Sequence, residues 1–265
     1  MSVPRPTAIL NRVPLPYLDA PRPLAFAHRG GAAHGFENTM TAFSQAVDAG
    51  YRYVETDVHA TADGALVAFH DRTLDRVTDR SGAIAALPLT EVRAARIGGT
   101  EQVPLFDELL DAWPDVRINI DVKADAAVEP LVEAVREHRA EDRVCVGSFS
   151  DARLRRVRAA FGGSVATSLG PRDVARLKLA SLTGSRPRFG PGVCAAQVPV
   201  RHGGLRVVDA RFVAAAHRAG LQVHVWTIDD ATTMHRLLDL GVDGIMTDRI
   251  DVLRDVLTSR GQWAA

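Results

Sequence analysis

Eight short runs of β-forming residues recur along the chain, each followed by a stretch whose apolar residues fall at helical spacing, and this alternation is what most restricts the fold. The runs cover 24–27, 53–58, 117–122, 144–147, 165–168, 195–198, 222–226 and 244–247. Such a pattern calls for parallel strands joined by crossover helices. Some helix ends are readable directly. Asp230 stands where an N-cap belongs, Met234, Leu237 and Leu238 share one face after it, and Gly241 stops the helix. Asp209 and Gly220 bracket Phe212, Val213 and Ala216 in the same way. Eight βα units in succession predict an α/β fold of the closed (β/α)8 TIM-barrel kind, because closure removes the edges that an open parallel sheet must protect. An open doubly wound sheet is the alternative.

One interval breaks the rhythm. Between the second run and a helix starting near Leu105 lies a short strand at 66–69, then the segment 71–103, which reads as a small insertion after strand 2. Residues 1–23, with Pro4, Pro6, Pro14 and Pro16, read as a proline-rich arm laid over the outside of a barrel domain spanning 24–265. The stretch 184–192 is expected to be a surface loop. At 265 residues and 46% hydrophobic, the chain suits one such barrel and one core. Lysine plus arginine and aspartate plus glutamate both total 32, so no global field draws the protein to nucleic acid or an anionic membrane, and any anion site must be local. No apolar run is long enough to span a bilayer, and prolines interrupt the beginning of the chain where a signal peptide needs an unbroken apolar core. A cytoplasmic protein with no nucleic-acid partner and no stable membrane insertion is expected. Cys145 and Cys194 lie in apolar strand-like stretches and read as buried free thiols.

In a barrel of this kind the C-terminal strand ends converge on one mouth, and here those ends are heavily polar. The first run ends in His28-Arg29-Gly30, the second holds Glu55 and Asp57, the third Asp121 and Lys123, and later runs offer Gln197 and Trp226. Period-two alternation sends Glu55 and Asp57 to one side, and likewise Asp121 and Lys123. Three clustered carboxylates repel one another, so a bound cation is expected, and an all-oxygen donor set favours Mg²⁺ or Ca²⁺, with Mn²⁺ possible, over zinc. The plainer reading is an ion-pair network in which Arg29 and Lys123 neutralise the acids. His28 and His70 each close an apolar run and are each followed by a charged residue. Histidine can give or take a proton near neutrality, and phosphodiester hydrolysis needs both events. Arg29 and Lys123 match a phosphate. Most other histidines read as surface or packing residues, with His59, two positions after Asp57, the one to watch.

His28-Arg29-Gly30, Glu37-Asn38-Thr39, Glu55-x-Asp57, His70-Asp71, Asp121-x-Lys123 and Trp226-Thr227, in this order, resemble the glycerophosphodiester phosphodiesterases, over about 24–257. The resemblance implies hydrolysis of a small-molecule glycerophosphodiester to glycerol 3-phosphate and an alcohol. It implies one divalent ion on Glu55, Asp57 and Asp121, His28 and His70 as acid and base, Arg29 and Lys123 on the phosphate, Trp226 as an apolar wall and Glu37 in support. Two positions depart from the family pattern: Asp121 stands where glutamate is usual, and Phe36 where proline is common. The competing functions are a phospholipase D-like lyase acting on lysophospholipids and a non-catalytic barrel that binds phosphate or metal. A scarcity of aromatic residues, 6% of the chain, weighs against the apolar rim that the first of these requires.

Overall fold

The computed structural model describes residues 15–34 and 36–264. Its strands in chain order are β1 (Leu24–Ala27), β2 (Tyr53–Ala60), β3 (Leu66–Ala68), β4 (Arg96–Ile97), β5 (Glu101–Gln102), β6 (Arg117–Val122), β7 (Val144–Gly147), β8 (Ala166–Ser168), β9 (Val193–Pro199), β10 (Arg201–His202), β11 (Leu205–Arg206), β12 (Gln222–Trp226) and β13 (Gly244–Thr247). Eight of them, β1, β2, β6, β7, β8, β9, β12 and β13, pair in parallel around a closed ring, shut where β1 meets both β13 and β2. This is the (β/α)8 barrel expected from the alternation. β2 runs two residues further than its sequence pattern suggests, which brings His59 into the strand.

The helices between the strands start and stop where short-range chemistry dictates. Asp230 accepts the Thr233 N–H at 2.8 Å and Asp209 the Phe212 N–H at 2.8 Å, so each cap satisfies an otherwise unpaired donor. The apolar faces of these helices cover the outside of the barrel, joining residues such as Phe106, Leu131, Phe212 and Leu237 to the outward side chains of the strands. The insertion has its own apolar centre, with Val67, Phe69, Leu74, Ile84, Val92 and Ile97 buried together. β3 fastens it to the barrel by pairing antiparallel with β2.

The beginning of the chain differs from an arm laid outside the domain. Residues 1–14, with Pro4, Pro6 and Pro14, lie outside the described residues. Pro16–Leu18 forms a 3-10 turn, however, and Tyr17 is 0% exposed. Its ring meets Tyr53 edge-on with centroids 5.3 Å apart, and it packs among Leu24, Phe26, Cys145 and Cys194 inside the barrel. The Tyr53 hydroxyl donates to the Tyr17 carbonyl at 2.6 Å, and Arg117 donates to the Asp19 carbonyl at 2.8 Å. Tyr53 and Arg117 begin their strands, so this segment stoppers the end of the barrel opposite the polar mouth. A tyrosine flanked by prolines carries no periodicity that would announce it. Cys145 and Cys194 are buried free thiols.

Candidate active site

Five strands, β1, β2, β3, β6 and β13, bring the charged residues together. At the end of β1 the backbone turns sharply, with Arg29 at φ +50° and Gly30 at φ +83°. A Cβ on Gly30 would sit 2.9 Å from backbone atoms of Ala42 and Phe43, so only glycine lets the loop approach the helix Met40–Asp48 this closely. The left-handed Arg29 is held by its N–H donating to Glu55 Oε2 at 3.1 Å and by its carbonyl accepting from the Asn38 N–H at 2.9 Å. Such strain persists where surrounding bonds fix it. Its guanidinium then reaches Glu37 at 3.0 Å and Asp57 at 3.2 Å.

Asp57 and Asp121 are direct lateral neighbours on β2 and β6, and Lys123 Nζ lies 2.8 Å from one and 2.7 Å from the other. Burial alone would raise the Asp57 pKa, but Lys123 and Arg29 outweigh it and hold it below the usual range. Lys123 is shifted the other way: burial would lower its pKa, and Asp121 and Asp57 keep it raised. Glu55 has no such lysine contact. Burial first, and repulsion from Asp57 second, push its pKa up to about 7.

The two histidines are each backed by an acid. His28 Nδ1 lies 2.7 Å from Asp248 Oδ1 and its Nε2 lies 3.8 Å from Glu55. Burial would depress His28, yet Glu55 and Asp248 leave its pKa raised. His70 Nδ1 lies 2.6 Å from Asp71, whose pKa falls to about 2, mainly through its hydrogen bond with Arg76. His59 Nε2–H donates to the His70 carbonyl at 3.1 Å, and burial lowers the His59 pKa. His59 therefore anchors the backbone that carries His70.

His28, Arg29, Glu55, Asp57, His70, Asp121 and Lys123 all border one open cavity of about 410 Å³, which also takes in Gln197 and Trp226. Glu37 stands behind Arg29, gripped as well by Arg76 from the insertion at 2.6 Å. Gln197 donates to Asn119 at 2.6 Å, and Trp226 meets Phe149 edge-on at 5.8 Å. Sequence reasoning missed Asp248, Arg76 and Phe149, and gave Asn38, a member of the Glu37-Asn38-Thr39 motif, no role of its own. Asp248 directly follows the last strand, a position that should have marked it. Asn38 donates to Asp57 at 3.1 Å and accepts from Thr56 at 2.8 Å, fixing the carboxylate. Arg76 and Phe149 gave no signal. Phe36 rests on the insertion, since a Cβ on Gly98 would come within 2.4 Å of its ring.

Among the described residues, no three histidine, cysteine or acidic side chains form a ready metal cage. The donor chemistry nevertheless fits a hard cation. Asp121 Oδ1 is buried with no hydrogen-bond partner, and Glu55 is destabilised in its charged form, two costs that an oxygen-seeking ion relieves together.

The profile of the glycerophosphoryl diester phosphodiesterase family matches residues 28–252. The chain belongs to this family. A Mycobacterium tuberculosis relative named "Probable glycerophosphodiester phosphodiesterase 2" is 43% identical over 91% of this chain and 92% of its own length. A crystal structure from Silicibacter pomeroyi matches with a TM-score of 0.78 at 25% identity, covering 93% of this chain and 97% of that one. An Oleispira antarctica phosphodiesterase in complex with the product sn-glycerol-3-phosphate shares the fold, with a TM-score of 0.76 at 22% identity over 89% and 97% of the two chains. Membership of the glycerophosphoryl diester phosphodiesterase family accounts for the ordered motifs, and in this member Arg76 joins the loop after β1 to the insertion.

Proposed function

We propose that the protein hydrolyses glycerophosphodiesters to glycerol 3-phosphate and an alcohol, with His28 and His70 as the acid and base pair. The observation that carries this reading is that two histidines on one cavity are each bound through Nδ1 to a carboxylate, at 2.7 and 2.6 Å. A carboxylate accepts, so Nδ1 carries the hydrogen and Nε2 is left to exchange protons with the substrate. The raised pKa of His28 suits it to protonate the departing alkoxide. His70 then takes the proton of the attacking group, either water or the neighbouring glycerol hydroxyl of the substrate. The second route passes through a cyclic phosphate, which phosphorus NMR detects. Arg29 and Lys123 hold the phosphoryl oxygens and oppose the charge that builds there. Trp226 walls the alcohol side. Glu55, Asp57 and Asp121 would hold a divalent cation, Mg²⁺, Ca²⁺ or Mn²⁺, whose chemistry is to polarise a phosphoryl oxygen as a Lewis acid.

The test is turnover of glycerophosphocholine by His28→Ala and His70→Ala. Each should lose about 10²–10⁴-fold in kcat with an unchanged circular dichroism spectrum. Full activity in either variant, or full activity after exhaustive EDTA treatment, overturns the corresponding assignment. A second reading, cleavage of lysophospholipids, draws on the apolar depth of the cavity, where Leu169, Val174, Pro199 and Val207 line the wall beyond the charges. Phe149 and Trp226 supply the aromatic rim that no single loop of the sequence announces. Lysophosphatidylcholine assayed beside glycerophosphocholine separates the two readings.

A further inference from the structure

The cavity opens to solvent past two of the few large apolar side chains left exposed among the described residues, Phe149 at 65% and Leu205 at 58%. Leu205 belongs to the hairpin β10–β11, which projects from the end of β9, and all six of its residues from Arg201 to Arg206 are exposed. Its cross-strand pairs divide by face. His202 and Leu205 are partners and line the cavity, so Arg201 and Arg206, the other pair, are turned to the opposite face.

Two like charges directly opposite each other in an antiparallel pair repel. Neither arginine has an acidic partner among the described residues, and Arg201 reaches only the Gly204 carbonyl, at 2.8 Å. They stand in a segment, 171–211, with eight lysines and arginines against two aspartates, within a chain that is neutral as a whole. Both aspartates are already engaged, Asp209 with Lys178 at 2.6 Å and Asp173 with Arg176 at 3.9 Å. A hairpin of two-residue strands has little stability of its own, so retaining an unneutralised arginine pair there calls for an anion from outside the protein.

That anion must come with an apolar layer, because the same rim shows Phe149 and Leu205 to solvent and leads into an apolar cavity. A strand of nucleic acid supplies phosphates without that layer. A bilayer containing anionic lipid supplies both, with phosphates at the depth of the arginines and hydrocarbon just beneath. We propose that the hairpin Arg201–Arg206 docks the protein peripherally on an anionic bilayer, holding the cavity mouth at headgroup level. The balance of charge over the whole chain excludes a global attraction and leaves this local one intact.

The experiment is co-sedimentation of the full chain with phosphatidylglycerol–phosphatidylcholine vesicles and with pure phosphatidylcholine vesicles. The protein should sediment with the anionic vesicles, and the binding should weaken steeply as salt rises from about 0.05 to about 0.5 M. The double variant Arg201→Glu/Arg206→Glu should partition at least about twenty-fold less, since each arginine near such a surface contributes about a factor of five. Arg201→Lys/Arg206→Lys should retain binding, and Leu205→Ser should weaken it. Turnover of soluble glycerophosphocholine should be unchanged in the arginine variants, which verifies their fold. Equal binding to neutral and anionic vesicles, no binding to either, or full binding by the glutamate variant overturns the proposal, as does binding to an oligodeoxythymidine without binding to vesicles. The readout is sedimentation, so its failure is distinct from failure of the proposed hydrolysis.

Discussion

Glu55 and Asp57 are two residues apart on one strand, yet their surroundings drive them in opposite directions. Lys123 and Arg29 stabilise the charge on Asp57, whereas Glu55 is buried beside that same charge and its pKa rises to about 7. A carboxyl group whose pKa is raised by folding contributes stability that is full below its unfolded value, near 4.5, and is lost as pH rises through about 7. With divalent ions removed, wild-type protein should therefore lose stability between pH 5 and 8 by an amount on the order of 3 kcal/mol through this residue. Glu55→Gln cannot ionise and should lack that contribution. Thermal melts of the two proteins in EDTA, compared at pH 5 and pH 8, check this: the variant should gain on the wild type as pH rises. Parallel pH dependences would show that Glu55 titrates as an ordinary carboxyl group.

At the scale of elements, the insertion and the loop after β1 work as one unit. Arg76 links them by holding Glu37 at 2.6 Å and Asp71 in a close ion pair, so the acid behind His70 and the acid behind Arg29 share one guanidinium. Arg76→Ala should lower kcat on glycerophosphocholine by about tenfold or more through misplacement of His70, as small errors of position do elsewhere. It should hardly change thermal stability, because the side chain is 48% exposed. Steady-state kinetics beside a thermal melt separate the two effects. Arg76 also shows why part of the site was not legible. The strand ends were readable because period two and the barrel rule place Glu55, Asp57, Asp121 and Lys123 on one mouth without knowledge of any loop. Arg76 sits in a segment that has no periodicity, and its partners lie 5 and 39 residues away, so only the folded chain brings them together. Phe149 and Leu205 escaped notice for the same reason: the rim they form comes from two different loops, each ordinary by itself.

For the whole molecule the barrel was legible and its stopper was not. Alternation of strand and helix specifies the ring and its order, since each unit covers its own neighbour. What fills the far end depends on shape alone, and Tyr17 reads in sequence as one more residue of a proline-rich tail. Its ring is fully buried against Tyr53 and Phe26, so Tyr17→Ala should destabilise the protein by about 3–5 kcal/mol, as large-to-small changes at buried aromatics do. Urea denaturation measures this, and a loss below about 1 kcal/mol would mean that the segment only rests on the barrel. The seat of Tyr17 is built from residues as far along the chain as Cys194 and Met246. The seat of Tyr17 is therefore complete only once β13 has joined β1, so closing the ring and housing this tyrosine are a single event.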